Sequence, residues 1–164
     1  MRKNIQRFLI VIGLFVFASP LFAKDFREFE ADLKGKNEVP PVVTEAEGEV
    51  KLKISKSGNE IGFKLEIEDA DPSIGMLAVA GSHIHCGVAG QTGPIAAFLA
   101  QPVPGGISGK AKFKGTLTDA DVRPTACGTT IAELVQAIAE GRAYVNAHST
   151  AHPTGEIRGQ LKAD

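Results

Sequence analysis

The chain has 164 residues, with 18 Lys and Arg against 19 Asp and Glu for a formal net charge of −1, and it has two cysteines and no tryptophan. This balance provides no basic surface for nucleic acid, so a nucleic-acid partner is excluded. The length is enough for one domain with its own hydrophobic core, and nothing in it indicates a second domain.

The N-terminal segment has the organisation of a secretory signal peptide. Basic residues precede an apolar run and a small residue at the predicted cleavage point: Arg2, Lys3, Arg7, Phe8–Phe17 and Ala23. The run is shorter than the roughly 20 residues of a membrane helix, and no cysteine near the cut offers a lipid attachment point. We therefore expect residues 1–23 to be removed. Residues 24–164 would then be a periplasmic or secreted domain without a membrane anchor.

The rest of the chain is rich in strand patterns. In residues 49–55 and 60–68 apolar side chains take every second position, and a turn cluster at 56–59 predicts an antiparallel hairpin between them. Further predicted strands cover 26–33, 77–86, 95–100, 110–117, 142–148 and 156–161. About eight short strands predict an all-β fold, an antiparallel Greek-key-like β-sandwich.

One short helix interrupts these strands. Thr130 and Glu133 have the spacing of a capping box, and the apolar residues after Thr130 recur at helical spacing as far as Ile138. Gly141 is a natural stop. The sequence therefore predicts a helix that covers one end of the sheets.

The two cysteines, Cys86 and Cys127, are expected to form a disulfide bond, because exported proteins mature in an oxidising compartment. The alternative is that Cys86, directly after a histidine pair, is a thiolate metal ligand.

All four histidines fall in two short segments and are candidate metal ligands. His83 and His85 are two residues apart in a predicted strand, so their side chains lie on one face about 7 Å apart. His148, from another strand, would complete a set of three imidazoles that copper or zinc accepts, and His152 on the following turn is the weakest candidate. Copper stands first in the affinity order and zinc is the alternative. The competing interpretation is that these histidines are structural hydrogen-bonding residues.

Two other segments border the predicted site. Glu156 and Arg158 share a face of the last predicted strand, where they would form an ion pair or anchor the sheet edge. Alternatively, Glu156 accepts a hydrogen bond that fixes a histidine tautomer. The glycine-rich segment 87–94 lacks the lysine of a phosphate-binding loop, so we interpret it as a tight loop beside the site. No catalytic residues are predicted, because no nucleophile or acidic pair is distinctive.

Four groups of motifs, taken together, resemble the CHRD domain family first described in chordin. They are Phe29–Gly35 with Asn37–Pro41, Ser82–Gly87 with Gly93–Ile95, Tyr144–His148, and Gly155–Leu161. The resemblance implies one extracellular module over residues 24–164, with His83, His85 and His148 at the positions of the family's shared histidines. His152 stands where the family pattern does not demand histidine. The histidine pattern is also loosely similar to the copper half of the Cu,Zn superoxide dismutase site.

These observations lead to one expectation and two alternatives. We expect an exported domain that binds one transition-metal ion, copper before zinc, in a binding or storage role. The first alternative is a protein-interaction module with structural histidines and a protein partner. The second is a copper-dependent redox enzyme.

Overall fold

The computed structural model describes residues 28–69 and 71–164, so the predicted signal peptide and Phe26 lie outside the described residues. The strands are Glu28–Lys34 (β1), Glu47–Ile54 (β2), Ile61–Asp69 (β3), Ser82–Cys86 (β4), Ile95–Ala100 (β5), Gly109–Leu117 (β6), Ala143–Ala147 (β7), Ile157–Gln160 (β8) and Lys162–Ala163 (β9). The helices are one α-helix, Ile131–Ala139 (α1), and the 3-10 turns Gly35–Asn37, Pro72–Ile74 and Asp119–Asp121. Among the described residues, no helix has the length and apolarity needed to cross a membrane.

The strands form one antiparallel sheet in the order β5-β4-β7-β8-β1-β2-β3-β6, and β9 also pairs with β1. The sheet curls into a nearly closed barrel. This confirms the prediction of an antiparallel all-β fold with about eight strands and one short helix. In a β-sandwich the strands are divided between two sheets, whereas here they form one continuous sheet. The connection is made where β8 and β9 pair with β1 in a single register, with Lys34 opposite Arg158 and Glu30 opposite Lys162.

The barrel interior collects the apolar side chains of the alternating strands. On the predicted hairpin, Val50 faces Leu65 and Leu52 faces Phe63, and all four side chains are buried. Burial of such side chains is the main source of stability in a fold of this size. The hairpin prediction is therefore confirmed, with β2 and β3 slightly longer than expected.

The helix α1 is confirmed together with its capping box. The Thr130 side chain accepts a hydrogen bond from the Glu133 backbone N–H, and the Glu133 carboxylate accepts one from the Thr130 N–H at 3.1 Å. Gly141 follows the helix with a positive φ of 71°, which a glycine adopts without strain. One face of the helix is buried against the sheet, through Ile131, Leu134, Ala137 and Ile138.

The strand predicted over 77–86 begins at Ser82 instead of Leu77. Leu77, Ala80 and Gly81 have φ values of 59°, 58° and 73°, which lie in the left-handed region and cannot continue a strand. Leu77 is nevertheless completely buried. Its apolar character thus reflects contact between an irregular segment and the core.

Candidate metal centre

The outer face of β4, β7 and β8 is polar, yet it is buried. In the antiparallel register His83 lies opposite Asn146, and Asn146 lies opposite Arg158, so all three side chains share one face. The neighbouring row consists of His85, Tyr144 and Gln160. We call this surface the histidine face and define it as His83, His85, Tyr144, Asn146, His148, Arg158 and Gln160. Loops cover it, and the exposed fraction of His83 is only 1%.

Three predicted ligands meet on this face. His83, His85 and His148 form a group that could hold a metal ion, each offering one ring nitrogen, and these atoms lie within 4.8 Å of one another. The ring centroids of His83 and His148 are 5.0 Å apart, and those of His83 and His85 are 5.4 Å apart. The structure therefore brings together the two histidines of β4 and the one that follows β7.

Backbone carbonyls determine the tautomers of two of these rings. Nδ1 of His85 lies 2.8 Å from the carbonyl oxygen of Gly93, and Nδ1 of His148 lies 3.0 Å from that of Pro153. A carbonyl oxygen only accepts, so each Nδ1 carries the proton and each Nε2 carries the lone pair. Both rings thus present Nε2 as an acceptor or metal-binding nitrogen, held by a partner of the type that orients ligating histidines.

Two buried ring nitrogens lack a hydrogen-bond partner in the part of the chain that the structure describes. Nδ1 of His83 is 3.1 Å from Nε2 of His148, which leaves Nε2 of His83 buried and without a hydrogen-bond partner among the described residues. Nε2 of His85 likewise has no hydrogen bond of normal distance and angle, although the Asn146 side chain lies near enough to raise the pKa of His85. A buried polar atom without a partner costs roughly 1–3 kcal/mol. These nitrogens fit a ligand that accepts lone pairs, as a metal ion does.

The electrostatic environment keeps the three imidazoles neutral. Burial lowers the pKa of His83 to about 3, with further lowering by the neighbouring His148 and His85. Burial is also the largest cause that lowers the pKa values of His85 and His148. Neutral imidazoles retain the lone pair that a metal requires, so the three rings could hold a metal ion at neutral pH.

His152 is not part of this group. Its Nδ1 lies 2.6 Å from Oε2 of Glu156, a carboxylate that also accepts a hydrogen bond from the Ser149 hydroxyl at 2.6 Å. Burial pushes the pKa of Glu156 up, but these hydrogen bonds outweigh burial and hold the pKa below its usual value. Glu156 therefore contacts a histidine as one hypothesis proposed, although that histidine is His152 and not one of the three.

Aromatic and cationic side chains surround the three histidines. Phe98 of β5 contacts His83 edge to face at a centroid distance of 4.4 Å. Tyr144 stacks on His85 at 4.9 Å with an interplanar angle of 10°, and the Arg158 guanidinium carbon lies 3.4 Å from the centre of the Tyr144 ring. Arg158 also donates to the carbonyl of Gln91 at 2.8 Å. Arg158 is thus an interior anchor for the loop over the site, and among the described residues it forms no ion pair with Glu156.

Glu38 is a buried acid that the sequence analysis noted only as part of the Asn37–Pro41 motif, without a role. It belongs to the segment after β1, is 7% exposed, and its Oε1 has no hydrogen-bond partner among the described residues. Burial raises its pKa to about 6, although nearby Arg158 opposes the increase. Its position depends on how a nonrepetitive segment packs on the histidine face, which a local sequence pattern does not report.

Cys86, directly after His85, lies at disulfide distance from Cys127, with 2.06 Å between the sulfur atoms. A sulfur in a disulfide is not a thiolate, so the alternative of Cys86 as a metal ligand is wrong for this state of the chain. The bond fits an oxidising compartment. It also connects the end of β4 to the segment before α1. The loop after β4 packs closely against Cys86 at Gly93, where an added Cβ would lie only 1.7 Å from the Cys86 carbonyl oxygen.

Comparison with known families gives one match. The model of the CHRD domain matches residues 29–161, a span that includes all of the histidine face. Neither a curated protein nor a solved structure matches the chain.

Proposed function

The chain belongs to the CHRD domain family, and from this premise we propose that it binds one transition-metal ion through His83, His85 and His148, with copper preferred to zinc. The observation that supports the proposal is the pair of buried Nε2 atoms, on His83 and His85, that lack hydrogen-bond partners. Imidazole nitrogen is a ligand of both metals, and Cu(II) stands above Zn(II) in the affinity order.

The arrangement of the three rings is consistent with a small adjustment on binding. Two nitrogens on one tetrahedral ion at about 2.0–2.1 Å lie about 3.4 Å apart. The three candidate ligand atoms are spread over as much as 4.8 Å, so we expect the rings to move closer together when the ion binds. The 3.1 Å hydrogen bond between Nδ1 of His83 and Nε2 of His148 would have to open, because it occupies the lone pair of Nε2 of His148.

We further propose that the protein is exported and that its role is metal binding or storage. The predicted signal peptide at residues 1–23 supports export, and so does the Cys86–Cys127 pair. In an oxidising compartment copper is present as Cu(II), for which imidazole is a suitable ligand.

The test is a competition titration of the protein beginning at Lys24 with Cu(II) and with Zn(II) against a chromophoric chelator. We expect His83→Ala and His148→Ala each to weaken binding by more than the roughly 10- to 100-fold that loss of an outer partner costs. His152→Ala is the matched control, because His152 contacts Glu156 outside the group. Far-ultraviolet circular dichroism of each metal-free variant checks folding. Unchanged affinity in both ligand variants would overturn the proposal, and weakened binding in His152→Ala would indicate a fourth ligand.

A second candidate, a protein-interaction module with structural histidines, is favoured by one contact. The 3.1 Å hydrogen bond between His83 and His148 satisfies both atoms without an ion. This candidate predicts that the protein binds neither copper nor zinc. His83→Ala would then lower the free energy of unfolding and change no metal affinity.

A further inference from the structure

Asn146 lies in the middle of the histidine face, and its amide oxygen is not used by the fold. On β7 it is opposite His83 of β4 on one side and opposite Arg158 of β8 on the other. The residue is 3% exposed, and its Oδ1 is buried without a hydrogen-bond partner in the part of the chain that the structure describes. A buried acceptor in that condition lowers the stability of the fold unless a ligand satisfies it.

The neighbours of Asn146 determine which way its amide group points. Burial raises the pKa of Glu38, and hydrogen bonding to Asn146 opposes this. A carboxylate only accepts, so the amide N–H group faces Glu38. Burial lowers the pKa of His85, and hydrogen bonding to Asn146 opposes this too. A protonated imidazole only donates, so the group that faces His85 is the amide oxygen.

Two buried acceptors therefore face each other between β4 and β7. Nδ1 of His85 donates to the Gly93 carbonyl at 2.8 Å, so Nε2 is the nitrogen that remains for Asn146. Nε2 carries a lone pair, as Oδ1 of Asn146 does, and neither atom has a hydrogen bond of normal geometry to a described residue. Two facing lone pairs repel each other in a low-dielectric interior. A cation between them removes the repulsion and satisfies both atoms.

The other amide of the histidine face, Gln160, is used differently. Its Nε2 donates to three backbone carbonyls, those of Gly87, Gly141 and Ala143, at 3.1, 2.8 and 2.8 Å. Its Oε1 also lacks a hydrogen-bond partner among the described residues, but Tyr144 lies between Gln160 and His85 in the register. Gln160 thus holds backbone segments together, whereas Asn146 directs its oxygen at a candidate metal ligand.

We propose that the amide oxygen of Asn146 is the fourth ligand of the metal ion and closes the centre formed by His83, His85 and His148. This inference rests on the proposed metal binding. Three imidazole nitrogens and a weaker amide oxygen suit Cu(II) or Zn(II). Zinc sites with four protein ligands are structural, whereas catalytic sites keep one position for water or substrate. A centre closed by Asn146 therefore holds its ion without an open position, which favours storage over the redox alternative.

Azide is the probe, because it binds to Cu(II) at a position that is open or held by water and then gives a charge-transfer absorption band. The Cu(II)-loaded wild type is expected to show no such band. Asn146→Ala is expected to show it, because loss of the amide oxygen opens the fourth position. We also expect Asn146→Ala to weaken Cu(II) binding by at least about 10-fold, the lower end of what loss of an outer partner costs. Asn146→Asp keeps an oxygen at the same place and should exclude azide as the wild type does.

Gln160→Ala is the matched control, since it removes an amide from the same face on the far side of Tyr144. It should lower the urea midpoint and still exclude azide. Circular dichroism of the metal-free variants checks folding, and Asn146→Ser, whose hydroxyl is too short to replace the amide, repeats the test if Asn146→Ala does not fold. Azide binding that is the same in the wild type and in the opened variant would overturn this inference alone. A wild-type chain that binds neither copper nor zinc would overturn the proposed function as well.

Discussion

Two outer surfaces of the one sheet differ: the histidine face, and the outer face of β3 and β6, which we call the ion-pair face because Lys110 pairs with Glu68 at 2.9 Å and Lys112 pairs with Glu66 at 2.8 Å. Both are built by alternating strands with polar side chains directed away from the core. They differ in what covers them. Arg158 is 2% exposed, whereas the side chains of Lys112 and Glu66 are 66% and 40% exposed. Loops fold over β4, β7 and β8, as in the hydrogen bond from Arg158 to the Gln91 carbonyl, and leave the other strands open to solvent.

Because of this difference in exposure, a polar group contributes differently to the free energy of unfolding on the two faces. An exposed ion pair contributes little, since water solvates both partners when they separate. A covered polar group must have a partner or lose free energy. The histidine face is covered by loops and still contains two imidazole nitrogens without hydrogen-bond partners among the described residues. Such nitrogens indicate a site for a ligand, whereas the exposed charges of the ion-pair face do not. The following predictions test this contrast from the largest expected effect to the smallest.

The largest loss of stability is expected on removing the buried guanidinium. Arg158→Met keeps apolar bulk, but leaves the Val88 and Gln91 carbonyls without their donor and Glu38 without its neighbouring positive charge. We expect the free energy of unfolding to fall by about 3–5 kcal/mol, the usual cost of breaking a buried charged network. Urea denaturation measures it, with Lys112→Met on the ion-pair face as control. Similar losses in both variants would remove the distinction between the faces.

Acidification should affect the histidine face at a higher pH than the ion-pair face. The unfolded chain protonates its histidines near their usual pKa of 6.5, but folded His83 resists protonation down to about 3. Between these values the unfolded state holds more protons, so stability is lost as the pH falls, at about 1.4 kcal/mol per pH unit for each such histidine. The exposed Glu28 and Glu66, with lowered pKa values, lose their contribution only below about 4.5.

Urea midpoints of the metal-free protein, measured in a chelator between about pH 7 and pH 5, test this prediction. Glu38 acts in the opposite direction, because its folded pKa of about 6 lies above its usual value and the folded state gains the proton first. Glu38→Gln removes that compensation and should steepen the dependence. A midpoint that stays constant over this range in Glu38→Gln would contradict the assignment of neutral, buried histidines.

The strands and helix were largely predictable from the sequence, because alternation and capping are local properties. The hairpin β2–β3, the Thr130–Glu133 box and the convergence of His83 with His85 all follow from spacing. The start of β4 was not predictable, since the positive φ values of Leu77 and Ala80 arise from tertiary packing. The burial of Glu38 and Arg158 was missed for the same reason. Charged residues are usually exposed, and only the tertiary structure shows that loops cover these two.

A smaller effect is expected at the ring that stacks on His85. Tyr144→Phe keeps the stacked ring and removes the hydroxyl oxygen that accepts a hydrogen bond from the Gly93 N–H at 3.2 Å. We expect a loss of about 1 kcal/mol in the free energy of unfolding. Metal affinity should stay close to that of the wild type, because the ring still orients His85. Tyr144→Leu, which removes the ring as well, should weaken both properties, and equal metal affinity in the two variants would exclude an orienting role.

The smallest effect is expected on the ion-pair face. Lys112→Gln breaks the 2.8 Å contact with Glu66, whose pKa is lowered mainly by the hydrogen bond from this lysine. Both side chains are solvated, so the urea midpoint should change less than in any histidine-face variant. Any change should disappear at about 1 M salt, where screening acts over roughly 3 Å. The Arg158→Met loss should persist there, because the buried charge is shielded from ions. If Lys112→Gln lowered the urea midpoint even at about 1 M salt, solvent exposure would not account for the difference between the two faces. The burial of the histidines would then be no evidence for a binding site.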